Sequence, residues 1–124
     1  MTDTPFFDVP SEFRIASNQE RFAIFDRFPV SPHHALVITK RVVPTWFKAT
    51  PREQATVMEL VGVVKVLLDE SLQPRPDGYN VGFSSGGVAG QTVSQVHLIR
   101  RCAGDVEDFC GGVRHVIPDK AWYY

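Results

Sequence analysis

The chain has 124 residues, enough for one compact domain and too few for two ordinary ones. Apolar residues make up 44% and charged residues 22%, a globular composition able to build its own core. Thirteen basic and fourteen acidic side chains nearly cancel, so a net charge of −1 gives no general attraction for nucleic acid or for an acidic membrane surface.

No stretch is apolar and long enough to read as a membrane span, and the N-terminal MTDTPFFDVP is acidic rather than a basic-then-apolar signal. Cys102 and Cys110 do not form a disulfide framework in a chain of this size, and no second close pair of thiols supports a metal site. A reduced, cytoplasmic protein is the expectation.

Residues 1–20 carry no long periodic pattern; Phe6, Phe7, Phe13 and Ile15 suit a short packing arm. Arg21 to Phe28 alternates well enough for a strand, which PVSPHH breaks with prolines at 29 and 32. Ala35 to Ile38 is a buried-strand run, and the two strands suit an antiparallel pair. Thr50, Pro51 and Glu53 form a helix start with a capping box, and apolar residues recur at helical spacing from Ala55 to Leu68 through Met58, Val61 and Val64. SLQPRPDG stops that helix. Tyr79 to Phe83 reads as a third strand after the Asp77-Gly78 turn, and Thr92 to Ile99 as a fourth after the glycine-rich SSGGVAG. The tail from Arg100 to Tyr124 is irregular. This order gives an α+β fold in a single domain, residues 1–124, with one principal helix.

The chemistry gathers around GQTVSQVHLIRRCAGD, residues 90–105. Gly86, Gly87 and Gly90 permit close approach to an anion through backbone amides, and Gln91 and Thr92 add neutral donors suited to a phosphate that must bind, react and leave. The loop matches neither the phosphate-loop nor the dinucleotide fingerprint. In a regular strand Val93, Gln95 and His97 share one face, opposite Thr92, Ser94 and Val96. A neutral imidazole near pH 7 can attack phosphorus if a hydrogen bond on its other nitrogen fixes the tautomer. Taken alone, a lone strand histidine is more often simply a half-buried, hydrogen-bonded residue.

Three segments, FDRFPVSPHHALVITKR at 25–41, GYNVGFSSGGVAGQTV at 78–93 and AGDVEDFCGGVRHVIPDK at 103–120, make the chain resemble the histidine triad (HIT) superfamily, in its bacterial-type nucleotide hydrolase and transferase branch. The resemblance implies an α+β fold with an antiparallel sheet. It also implies a homodimer joined through the long helix and a sheet edge, and cleavage of dinucleoside polyphosphates or nucleoside phosphoramidates through a nucleotidyl-histidine intermediate. By the same resemblance Asp26 holds the ribose of a purine nucleotide such as AMP, His34 backs the catalytic histidines, Gln91 and Thr92 contact phosphate, and Phe22 and Ile24 line the base pocket. No cofactor is implied, beyond Mg2+ accompanying a polyphosphate substrate.

The departures from the family pattern are specific. His33 stands where a glycine precedes the supporting histidine, and Ser84 where the family usually has asparagine. The three alternating histidines are reduced to His97, and the interval from Val93 to Gly104 is two residues short. Anchored on residues 90–93, His97 takes the second, nucleophilic position and Gln95 the first. Anchored on 101–105, His97 becomes the third and Gln95 takes the nucleophile's place, which ends covalent chemistry. Distance from the glycine loop favours the first alignment. The shortening draws Arg100 and Arg101 toward the pocket, where either would suit a polyphosphate tail. The leading expectation is a slow hydrolase. Its rivals are a nucleotide-binding protein without turnover and a homodimeric partner protein whose pocket stays empty.

Overall fold

The structure is a computed structural model that describes residues 14–17, 21–89, 91, 95–106 and 112–121. Five strands, β1 (Arg14–Ser17), β2 (Arg21–Phe25), β3 (Ala35–Thr39), β4 (Gly78–Gly82) and β5 (Gln95–Arg101), form one antiparallel sheet in the order β1-β2-β3-β5-β4. Helix α1 (Pro51–Ser71) packs across one face. This is the α+β arrangement read from the sequence, with an extra edge strand, β1, that the sequence left as an arm. It is four residues long, and its pairing with β2 is interrupted by a register shift between Arg14 and Ala16, so no alternation betrays it. Of the arm residues, Ile15 packs on the core, while Phe6, Phe7 and Phe13 lie outside the described residues.

Strand limits move for local reasons. β2 stops at Phe25 rather than Phe28, because the Asp26 carboxylate accepts a hydrogen bond from the Phe28 amide at 2.9 Å and turns the chain. β3 runs one residue further, to Thr39, opposite Arg21. β4 is shifted to Gly78–Gly82, and β5 extends to Arg101, which pairs with Gly78. Residues 92–94 of the expected fourth strand lie outside the described residues. The described residues of the tail include short 3₁₀ turns at Gly112–Val116 and Pro118–Lys120.

The α1 start follows its sequence signature. Thr50 Oγ1 accepts from the Glu53 amide at 3.0 Å and the Glu53 carboxylate accepts from the Thr50 amide at 2.8 Å. Glu53 also takes both guanidinium contacts of Arg41, tying the end of β3 to the first helical turn. Removing the cap with Thr50→Ala is expected to cost about 1 kcal/mol in equilibrium denaturation.

Buried Val57, Leu60, Val61, Val64 and Leu68 form the inward stripe of α1, meeting Ala23, Ala35, Val37, Val96 and Leu98 from the sheet. Met58, expected in that stripe, is instead 43% exposed on the outer face with Val63, Val66 and Leu67. No described helix is long and apolar enough to cross a membrane.

Alternation then decides the site. With Val96 and Leu98 under the helix, Gln95, His97 and Ile99 face the other way. Register places Ile24, Leu36, His97 and Gly82 in one row across four strands on that second face.

Candidate active site

His97 is half-buried at the centre of the sheet, and its closest polar partner is the buried ring of His34, with Nε2 of His34 2.9 Å from Nδ1 of His97. The two rings are tilted, their centroids 5.1 Å apart. His34 is held from behind: its Nδ1 accepts a hydrogen bond from the Val30 amide at 3.1 Å, and the Asp26 carboxylate stands 3.6 Å from the same nitrogen. The Asp26 amide donates to the His34 carbonyl at 2.7 Å, so the turn between β2 and β3 closes on this histidine. Ser31 fastens the turn to β5 by donating to the Arg100 carbonyl at 2.9 Å.

His33 makes that turn possible in an unusual way. Its φ of 66° lies in the left-handed region, where a glycine costs nothing and a residue with a Cβ is strained. The His33 ring packs edge-on against Phe25 at 5.5 Å, which holds the strained residue in place. His33 thus stands, where the resemblance leads one to expect glycine, in a backbone conformation that glycine adopts freely.

Gln95 stands two residues before His97 on the same face, its amide nitrogen 3.4 Å from Nε2 of His97, while its buried amide oxygen has no partner among the described residues. On the β4 side, Gly82 pairs with His97, and a Cβ there would meet nothing within 4 Å among the described residues, so no β4 side chain covers that flank of the imidazole. Ile24 is buried in the same row as His97, two strands away, and Ser84 is half-buried just past the end of β4. Phe22 pairs with Ile38 through its backbone; its side chain, with Gly90 and Thr92, lies outside what is described.

Gln91 does something the sequence did not signal. Its side-chain oxygen accepts from the Gly86 amide at 2.7 Å and its nitrogen donates to the Pro44 carbonyl at 2.5 Å. Gly86, at φ 88°, also accepts from the Ala89 and Gln91 amides. Gln91 therefore stitches the glycine loop to the segment before α1, and its amide reaches a phosphate only if those bonds open.

The two arginines are not drawn into the pocket. Arg100 alternates onto the helix face beside Tyr79. Arg101 shares the His97 face, but its guanidinium is clamped by both oxygens of Asp105 at 2.9 and 3.0 Å and by Asn80 at 2.6 Å. The same clamp holds the Asp105 carboxyl down to about 2.

Burial is the main cause lowering both imidazoles below the ordinary value of 6.5. His34 lowers His97 further, and Asp26 opposes the effect on each. Both rings therefore stay neutral at pH 7, as a nucleophile or a hydrogen-bond relay requires. The unfolded chain takes up protons near pH 6.5 while the folded site resists them. This part of the stability is complete above that pH and is lost as pH falls through the lowered values. Thermal melts from pH 8 to 5 should show this decline, and a His97→Asn variant should show a shallower one.

Asp26, His34 and His97 offer ligand atoms within 4.8 Å of one another, a set that bears on the expected lack of a metal site. A cation shell fits them poorly. The two nitrogens of His34 point apart, one toward Val30 and Asp26 and the other toward His97, so an ion on the His97 side faces away from the carboxylate. The arrangement is a relay of hydrogen-bonding groups.

The profile of the HIT domain family matches residues 9–98. An uncharacterised HIT-like protein of Mycoplasma genitalium is 31% identical over 88 residues, 71% of this chain and 61% of its own length. AP-4-A phosphorylase of Mycobacterium tuberculosis is 29% identical over 125 residues, covering 92% of this chain and 62% of the enzyme. Among solved structures, a hypothetical histidine triad nucleotide-binding protein from Sulfolobus tokodaii superposes with a TM-score of 0.69 at 27% identity, over 78% of this chain and 65% of that one. A Zn-bound histidine triad family protein from Mycobacterium smegmatis gives 0.65 at 27% identity, over 78% and 70%. The chain thus spans about three-fifths of the length of the first two relatives.

Proposed function

Because the chain belongs to the HIT domain family, we propose that it binds a purine nucleotide such as AMP and hydrolyses nucleoside phosphoramidates or dinucleoside polyphosphates, with His97 as nucleophile. The observation that carries this reading is the contact of a neutral, half-buried His97 with the buried His34, beside the flank at Gly82 that no β4 side chain covers. Nε2 of His97 attacks the α-phosphorus, and the bond from phosphorus to the departing amine or nucleotide oxygen breaks as the leaving group takes a proton from solvent. Water then attacks the nucleotidyl-imidazole, the phosphorus–nitrogen bond to His97 breaks, and AMP leaves with the imidazole restored.

In this scheme His34 orients His97, Gln95 stands beside the attacking nitrogen, and Ile24 and Phe22 border the base. Gly90, Gln91 and Thr92, with Ser84, are the phosphate side, Gln91 once its loop bonds exchange for the ligand. The chain supplies the nucleophile itself, and Mg2+ accompanies only a polyphosphate tail. The exposed apolar residues Met58, Val63, Val66 and Leu67, spread around the outer half of α1, support pairing of two copies through this helix, which sedimentation would read as a dimer.

The experiment uses an adenosine phosphoramidate and, separately, diadenosine tetraphosphate, each labelled in the adenosine, with a rapid quench in base, where a phosphorus–nitrogen adduct survives. A labelled AMP adduct mapping to His97 by peptide mass, with AMP released on longer incubation, supports the reading. Saturable AMP binding with neither adduct nor product would overturn it in favour of a binding protein, a reading supported by the Val30 hydrogen bond on His34.

A further inference from the structure

A chain of groups runs from Val30 through His34 and His97 to Gln95, and its two ends ask for opposite proton placements. A backbone amide can only donate, so Val30 N–H requires an unprotonated Nδ1 on His34. A neutral His34 then carries its proton on Nε2 and donates it to Nδ1 of His97. A neutral His97 in turn carries its proton on Nε2, the nitrogen beside Gln95. In that state the outer nitrogen of His97 is a donor and has no lone pair for phosphorus.

At the far end the Gln95 amide nitrogen lies 3.4 Å from that same Nε2, an orientation suited to a lone pair, and the buried Gln95 oxygen meets no partner among the described residues. Among the described residues, one group beside His34 can reverse the chain. The Asp26 carboxylate is an acceptor 3.6 Å from Nδ1 of His34, half an ångström beyond the Val30 amide at 3.1 Å. If Nδ1 of His34 carries the proton toward Asp26, His34 accepts from Nδ1 of His97, and Nε2 of His97 is left with its lone pair. Gln95 already points the right way for that state.

We propose that Asp26 and the Val30 amide compete for Nδ1 of His34, so that Asp26 acts through His34 as a positioning residue that selects the nucleophilic tautomer of His97. The inference builds on the hydrolase reading, but the tautomer is measurable without turnover. Asp26 thereby has a role besides holding a ribose, and the Val30 bond describes the resting state.

The test is 15N NMR of protein labelled at histidine, at a pH where the imidazoles are neutral. His97 is assigned by loss of its signals in a His97→Gln variant. In the parent, the two His97 nitrogen shifts are expected between the tautomer limits, weighted toward Nε2–H. Asp26→Asn keeps an acceptor for the Phe28 amide and presents an amide donor to His34, so it should carry His97 to the Nε2–H limit. Val30→Pro removes the competing donor and should move His97 toward Nδ1–H. Adenylylation of His97, where the parent shows it, should slow about a hundredfold in Asp26→Asn at saturating nucleotide. Unmoved nitrogen shifts in Asp26→Asn, or a move toward Nδ1–H, would overturn the proposal whether or not Val30→Pro folds and whether or not the parent turns over. Weaker AMP binding with unmoved shifts would place Asp26 on the ribose alone, and so would also overturn it.

Discussion

Replacing His97 with alanine is expected to lower single-turnover AMP release from an adenosine phosphoramidate by about a thousandfold or more. No other imidazole touches His34 among the described residues, and Gln95, its neighbour on the same face, offers an amide with no comparable nucleophilicity. The side chain lies on the sheet face opposite the cluster under α1, so truncation removes the attacking nitrogen and leaves that cluster in place. AMP affinity should change far less than the rate if the phosphate and base are held where proposed, away from His97. Equal rates in parent and variant would remove His97 from the nucleophile's position. A large loss of affinity with the rate constant kept would make it a binding residue.

The largest expected loss of stability comes from the opposite face of the same strand. Leu98 is fully buried, paired with Ala35 on β3 and Val81 on β4, and packed in the cluster under α1. Leu98→Ala removes its branched end from a site bounded by three elements, so the cavity collapses poorly and the cost is about 3 kcal/mol. Against a total of about 5–15 kcal/mol for a domain, that is a large fraction, and the melting temperature should fall by about 10 °C or more. Val81, its partner across the ladder, is 48% exposed, and Val81→Ala should cost only about 0.5 kcal/mol. Urea titrations of the two variants, read together, separate burial from strand propensity.

What the sequence disclosed depended on how far apart the interacting groups lie. The start of α1 was legible because Thr50, Pro51 and Glu53 carry the whole capping device within four residues. The facing of Gln95 and His97 followed from alternation alone. β1 was hidden because it is short and bulged, and the outward position of Met58 because helical spacing alone does not say which apolar residues the sheet will cover. Gln91 looked like a phosphate donor since the Pro44 carbonyl that claims its amide lies 47 residues away. Arg101 could have been paired with Asp105 from its spacing of four, but its second partner, Asn80, comes from the neighbouring strand. The role of Val30 was illegible, because a backbone amide leaves no trace in residue identity.

The pairing of β3 with β5 has a bearing on how the protein is made. The bond between His34 and His97 joins positions 63 residues apart, whereas β2 meets β3 across a short turn and α1 nucleates within its own sequence. The hairpin and helix can form early from local contacts, but the central ladder must await closure of a loop holding α1 and β4. The two histidines therefore come together only once that long loop has closed. A nucleotide that depends on His97 as this ladder places it would recognise the finished domain and no partial one, so its binding is expected to slow unfolding while leaving the refolding rate unchanged.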